Sequence, residues 1–346
     1  MRLKNIIYTL TIMKKLFLSL LTVLLPLVAF AEVEIDGIYY NLDSNTKEAE
    51  VTCGRNQYSG SVAVIPASVT YDGVEYSVTS IGDNAFNDCR LLTSVTIPDG
   101  VKSIGKDAFF ACYSLSSVNL PDGLTSIGDS GFGGCSSLSS FTVPDGIKSI
   151  GDFAFEKCYS LSSITFPNSL TKIGDNVFQA CKSLTSITVP NSVKSIGEGA
   201  FCHCDSLTMV SIGNSINEIG GGAFLECPVL ADFYCLAENV PSTHYEAFLD
   251  SPIENTTLHV PAVSVDAYKA AVPWKNFKEV VPLDEQSIET LDYTSPAGRI
   301  DIYSVDGKFL GSAADQSEAA SVVNHLPSGT TAIVKIGEKS EKVMVK

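Results

Sequence analysis

Basic residues are scarce in this chain: 23 Lys and Arg face 39 Asp and Glu, for a net charge of −16. That deficit makes nucleic acid and anionic lipid poor partners and suits an elongated soluble protein. Histidine is scarcer still. His203, His244, His259 and His325 are scattered, and the sequence sets no nucleophile or carboxylate in an obvious pairing with them. Cys202-His203-Cys204 lacks a second Cys/His pair at a zinc spacing, and neighbouring side chains point different ways, so no metal is expected there. The chain is accordingly read as a non-enzyme, with no catalytic residues, no cofactor and no metal. A bilayer-spanning segment is missing too, because the apolar run Leu16 to Phe30 falls short of the roughly 20 residues a membrane helix needs.

What that run does fit is a secretory signal. Met13 is followed at once by Lys14 and Lys15, and the run closes on Ala29-Phe30-Ala31, the small-x-small pattern that signal peptidase requires. Residues 1–31 are therefore expected to be removed. Cleavage would take away Arg2, Lys4, Lys14 and Lys15 but no acid, deepening the net charge from −16 to −20. Glu32, not Cys, would then stand first, which argues against a lipid anchor.

Downstream, a 23-residue unit recurs from Val78 with starts at Val101, Leu124, Ile147, Leu170, Val193 and Ile216. Its tail alternates, as in Ser94-Val95-Thr96-Ile97, and is stopped by Pro98 with Asp99-Gly100 behind it, which reads as a short strand and a turn. A second apolar segment, Val101 to Ile104, ends at Gly105, and the Asp-Ala-Phe-x-x-Cys stretch after it has room for a single helical turn. Such a unit cannot bury its own apolar face and must stack on copies of itself in a parallel sheet. The fold class is mainly β with short helical turns: a repeat solenoid, plus a small C-terminal β module.

Stacking turns each apolar position into a column. Phe86, Phe109, Phe132, Phe155, Phe178, Phe201 and Phe224 form one, and Ile81, Ile104, Ile127, Ile150, Ile173, Ile196 and Ile219 another. Open ends of the stack need covers. Residues 32–77, with strand-like segments Val33 to Leu42 and Val62 to Ile65, supply the first. The solenoid with its closing cap spans 78–283, where Thr257 to Pro261 restates the motif, Ser264 suits the N-cap of a short helix, and Trp274 and Phe277 can close the core. A polar linker, 284–298, leads to the module 299–346, whose Arg299 to Leu310, Ala332 to Ile336 and Lys342 to Lys346 segments read as short antiparallel strands.

The unit Ile-Gly-x-x-Ala-Phe-x-x-Cys-x-x-Leu-x-x-Val-x-Ile-Pro resembles the BspA-like leucine-rich repeat family of Bacteroidetes surface proteins. Gly37-Ile38-Tyr39-Tyr40 and Tyr268-Lys269…Trp274-Lys275-Asn276-Phe277 resemble that family's ends. The resemblance implies a secreted array on a bacterial cell surface, with some members acting as adhesins for host matrix proteins or other microbes. It names no ligand. The tail module resembles the sorting domains of type IX secretion, with the departure that Thr330-Thr331 replaces the tyrosine usual after Leu326-Pro-Ser-Gly329.

Ten cysteines in a secreted chain invite disulfides, yet Cys89, Cys112, Cys135, Cys158, Cys181, Cys204 and Cys227 fall at the repeat period. Side chains in one column run parallel with Cβ atoms about 4.8 Å apart, beyond the separation a disulfide uses, so buried free thiols are expected. Cys53, Cys202 and Cys235 lie off the column; their state stays open, a Cys227–Cys235 bridge included. Asp99, Asp122 and Asp145 form a carboxylate column that either holds Ca²⁺ between units or is ordinary Asp-Gly turn chemistry.

The candidate binding face is the outward side of the strands. Ser94, Ser117, Ser140, Ser163 and Ser186 run beside Thr96, Asn119, Thr142, Thr165 and Thr188 as a flat, uncharged, hydroxyl-rich strip. Such residues also simply suit an exposed β face. Arg90, Tyr113, Tyr159 and Lys182 stand beside the strip as variable residues able to give specificity, with Tyr and Arg the stronger anchors. Three functions fit: adhesion through protein binding, glycan capture by a surface accessory protein, and a structural surface layer. Aromatics facing a sugar would favour the second, and these two columns contain none, which leaves adhesion first.

Overall fold

The computed structural model describes residues 31–55, 57–283, 300–304, 309–313, 331–336 and 339–344. The expected signal segment up to Phe30, the linker 284–298, Leu326-Pro-Ser-Gly329 and His325 lie outside these residues. The chain is a β-solenoid in which each 23-residue unit makes one turn. Its cap begins with strands Ala31–Ile35 and Ile38–Asp43, paired antiparallel. Val33 to Leu42 is thus two strands, turned at Asp36-Gly37, where both residues have positive φ, 51° and 79°, as a tight hairpin requires. The next strand, Glu48–Thr52, pairs antiparallel with Ile38–Asp43 on one side and parallel with Val74–Ile81 on the other. That strand passes the antiparallel cap over to the parallel array.

From Val74–Ile81 the sheet continues through two-residue strands, Ser103–Ile104 to Ser242–Thr243, reaching twelve strands with the cap included. The continuous sheet is therefore built from the second apolar segment of each unit. Strands of the Ser94–Thr96 type form three separate sheets, interrupted between Asn119 and Ser140 and again between Thr165 and Ser186. Each interruption directly follows a unit whose residue before proline is not β-branched. Ile97, Val143 and Val189 are buried at this position, whereas Leu120 and Phe166 are only half-buried. A long or flat side chain fits the pleat less well there, and the strand splays.

The expected helical turn is a run of tight turns instead. Its first and fifth residues are left-handed in unit after unit: Asn84 and Asp88, Asp107 and Ala111, Phe153 and Lys157, Asn176 and Ala180, with φ between 53° and 60°. Alternating handedness aims every second N–H along the stack. Asn84, Phe86 and Asp88 donate to the carbonyls of Lys106, Ala108 and Phe110 at 2.7–2.9 Å, and the same pattern recurs down the array. Helical geometry would have turned those donors inward along the segment itself. Asp83, Asp129, Asp152 and Asp175 add a second link, each accepting from the backbone N–H 23 residues later at 2.8–2.9 Å.

Inside, the phenylalanine column stacks from Phe86 to Phe248 with centroids 5.1–5.6 Å apart and planes within 12°. Tyr58 meets its first ring edge-on. Trp274 and Phe277 close the far end against Phe233 and Phe248. The exit helix is Val265–Ala270, with Ser264 at its N-cap position, but the Ser264 hydroxyl donates to the Glu238 carbonyl at 2.6 Å rather than capping. In the tail, strands Ile300–Ser304, Phe309–Ala313, Thr331–Ile336 and Lys339–Met344 form one antiparallel sheet.

Glycine sets how closely the units approach. A Cβ on Gly151 would lie 2.5 Å from the Asp129 nitrogen and from the Gly128 carbonyl carbon, and Gly105, Gly128, Gly197 and Gly220 meet the preceding turn equally closely. Gly151→Ala is expected to destabilise the fold by about 1–3 kcal/mol or more, read from urea unfolding. Phe178→Ala should cost roughly 3–5 kcal/mol, because rings on both sides hold the vacated site open. A loss well under 1 kcal/mol in the latter would refute the ladder.

Candidate functional site

The outward strip forms as the alternation implied. Ser94, Ser117, Ser140, Ser163 and Ser186 and their partners Thr96, Asn119, Thr142, Thr165 and Thr188 all face out, fully or partly exposed. Register holds across each sheet: Ser94 lies beside Ser117 and Thr96 beside Asn119, then Ser140 beside Ser163 and Thr142 beside Thr165. The two interruptions divide this row into three segments. Arg90, Tyr113, Tyr159 and Lys182 are exposed on the adjoining ridge of turns, four residues ahead of the serine column. Arg90 is tied to Asp88 at 2.7 Å and Lys182 to Asp205 at 3.0 Å. The Arg90 guanidinium also lies over the Tyr113 ring, 5.5 Å from its centroid.

The strip extends further than the sequence columns suggested. Ser186 pairs with Met209, Met209 with Asp232, Thr188 with Ser211, Ser211 with Tyr234, and Tyr234 with His259. The Tyr234 and His259 rings stack at 4.2 Å and 9°, and His259 Nε2 lies 3.0 Å from Asp232 Oδ1. Aromatic rings therefore do stand on this face, at its C-terminal end. A 23-residue step from Met209-Val210-Ser211-Ile212 to Asp232-Phe233-Tyr234-Cys235 was the available signal for Tyr234. His259 comes 25 residues after Tyr234, and that longer step hid it.

Each described histidine has a carboxylate: His203 faces Glu226 at 3.1 Å, His244 faces Glu246 at 4.0 Å, and His259 faces Asp232. Among the described residues no group of three or more His, Cys, Asp or Glu converges as a metal site. Asp99, Asp122 and Asp145 point to solvent on their turns.

All ten cysteines are free, Cys53 exposed and the others buried. In the column each thiol donates to the phenylalanine carbonyl of the preceding unit, from Cys112 on Phe86 at 3.0 Å to Cys227 on Phe201 at 3.3 Å. Ser251 occupies the next position and makes the same bond to Phe224 at 2.6 Å. Most of these carbonyls already accept from the amide of the cysteine three residues on, as Phe86 does from Cys89 at 3.1 Å, so the thiol of the next unit is a second, buried donor to the same oxygen. Cys235 instead meets the Tyr268 hydroxyl at 3.1 Å, which leaves no Cys227–Cys235 bridge.

The family described as BspA type leucine-rich repeat region matches in six copies, over residues 68–184 and 148–269. The chain belongs to that family. A leucine-rich repeat protein of Treponema pallidum is 31% identical, with 58% of this chain and 91% of that one aligned at a TM-score of 0.51. One from Bacteroides ovatus is 25% identical, over 73% of this chain and 77% of that one, at a TM-score of 0.48. No curated protein matches significantly. Membership makes the array a protein-binding repeat scaffold, and among the described residues no helix is long and apolar enough to cross a membrane.

Burial pushes the Cys135, Cys181 and Cys204 thiols far above their usual value and Cys227 up to about 12. In the unfolded chain these thiols ionise from about pH 8.5, so the stability present below that pH should fall as pH rises toward the folded values. Under reducing conditions the melting temperature should drop between pH 8 and pH 10. At pH 8 a thiol reagent should label Cys53 alone in the native protein and all ten cysteines in denaturant. Native labelling of the column would contradict its burial.

Proposed function

We propose that this leucine-rich repeat protein is a secreted adhesin, displayed on a bacterial surface, whose outward strip binds a host matrix protein or a neighbouring cell. The observation that carries this reading is the strip itself. Its uncharged Ser and Thr columns run in register within each segment on one side of the array, with Arg90, Tyr113, Tyr159 and Lys182 along its border. A flat hydroxyl-rich face forms many short polar contacts, and the stacked core behind it lets the strip bind without ordering cost. The signal-like start and a tail that resembles a sorting domain supply the route to the surface.

The test is saturable solid-phase binding of the purified chain to matrix proteins and to bacterial cells. A Thr142→Arg/Thr165→Arg variant, placing two bulky charges in the middle of the strip, should bind at least tenfold more weakly with an unchanged melting temperature. Binding that survives this variant would move the contact to another face. Silence on every protein and cell surface would overturn the adhesin reading.

A further inference from the structure

Three backbone hydrogen bonds recur from coil to coil on the strip side of the solenoid. Ahead of the strip strand, Ser116 donates to Thr93, Ser162 to Ser139, Thr208 to Thr185 and Ala231 to Thr208, all at 2.8–2.9 Å. At the strand's end Ile97 donates to Asn119 at 3.2 Å and Val143 to Thr165 at 2.9 Å. Past the proline turn Thr125 donates to Lys102, Thr171 to Lys148, Lys194 to Thr171 and Asn217 to Lys194, again at 2.8–2.9 Å.

All three are missing, among the described residues, between the coil that carries Ser117–Asn119 and the one that carries Ser140–Thr142. Ser139 does not donate to Ser116, nor Leu120 to Thr142, nor Lys148 to Thr125. The two strands do not pair, and in the continuous sheet the register at this junction shrinks to Ile127↔Ile150, where the junctions on both sides hold two residue pairs. The interruption between Thr165 and Ser186 is shallower: Lys194 still donates to Thr171, and Lys172↔Ser195 and Ile173↔Ile196 both pair.

Burial follows the bonds. Val118 and Leu120 are half-buried, whereas Val95, Ile97, Phe141 and Val143 in the flanking coils are buried. What joins the two coils lies at the ends of this stretch. Ahead of it Ala111 donates to Gly133 at 2.8 Å and the Ser136 hydroxyl to Tyr113 at 3.3 Å, and after it Gly151 donates to Ile127 at 3.1 Å. Midway, a Cβ on Gly146 would lie 2.5 Å from the Leu124 carbonyl oxygen, so the coils touch there without being bonded.

We propose that this junction is a bending joint, at which the array opens and closes on its strip side about the turns and the Ile127–Ile150 pair. Opening is easiest where backbone bonds and apolar burial are both reduced, and this junction lacks the most of each. The array then moves as two plates. A partner resting on one segment of the strip meets a preordered surface, and one that spans the joint fixes a single angle. The joint does not depend on what the strip binds.

Distances between paired spin labels on the full chain test this, with Cys53→Ser as background because the other nine cysteines are buried. Val64→Cys/Thr165→Cys spans four coil steps, about 19 Å, and crosses this joint alone. Ser186→Cys/Glu279→Cys spans four steps inside the five-stranded sheet. The distance distribution should be at least twice as wide across the joint as within the sheet. In native-state hydrogen exchange the Ser139 and Lys148 amides should exchange at least tenfold faster than their bonded counterparts, Ser116, Ser162, Thr125 and Thr171. Equal widths overturn the joint, and so does equal protection of those amides.

Discussion

Successive units of this protein sit so close that no Cβ can stand between their turns, and the glycine column, the left-handed residues and the buried ladders all follow from that distance. A separation set by parallel backbone pairing is short for side chains, so each position inside must accept its own copy directly above it. Planar phenylalanine rings meet that demand by stacking in parallel, and isoleucine by interlocking along the continuous sheet. Thiols meet it too, being small enough for the column and able to donate to the phenylalanine carbonyl below.

The cost of this closeness is local strain. A left-handed backbone at a residue with a side chain is unfavourable by about 1–2 kcal/mol. Here it recurs in every unit, at residues as unlike as Asn84, Phe153 and Lys157. Each instance aims an amide at the next unit's carbonyl, and in a buried setting an unmade hydrogen bond costs as much or more. Asn and Asp at several of these sites lessen the strain, because their short polar side chains tolerate that conformation.

Much of this was legible in the sequence, because a period of 23 exposes its core columns directly and a stop at proline locates the strand. The strip's serines and threonines could be placed for the same reason. Other features depend on backbone geometry that the pattern does not carry. Nothing in Asp-Ala-Phe-x-x-Cys distinguishes a helical turn from alternating handedness, since both leave room for the same residues. Which of two short segments makes the continuous sheet turned on Leu120 and Phe166, whose shape splays one side. Tyr234 and His259 joined the strip only once pairing carried the register past the longer step.

The inter-unit hydrogen bonds of the turns are the centre of this account, and native-state hydrogen exchange measures them most directly. Amides of Phe109, Phe132, Phe155 and Phe178, which donate to Gly131, Ala154, Val177 and Ala200 at 2.8–2.9 Å, should exchange only through global or multi-unit opening. Exchange of those four amides at rates typical of exposed loops would contradict it.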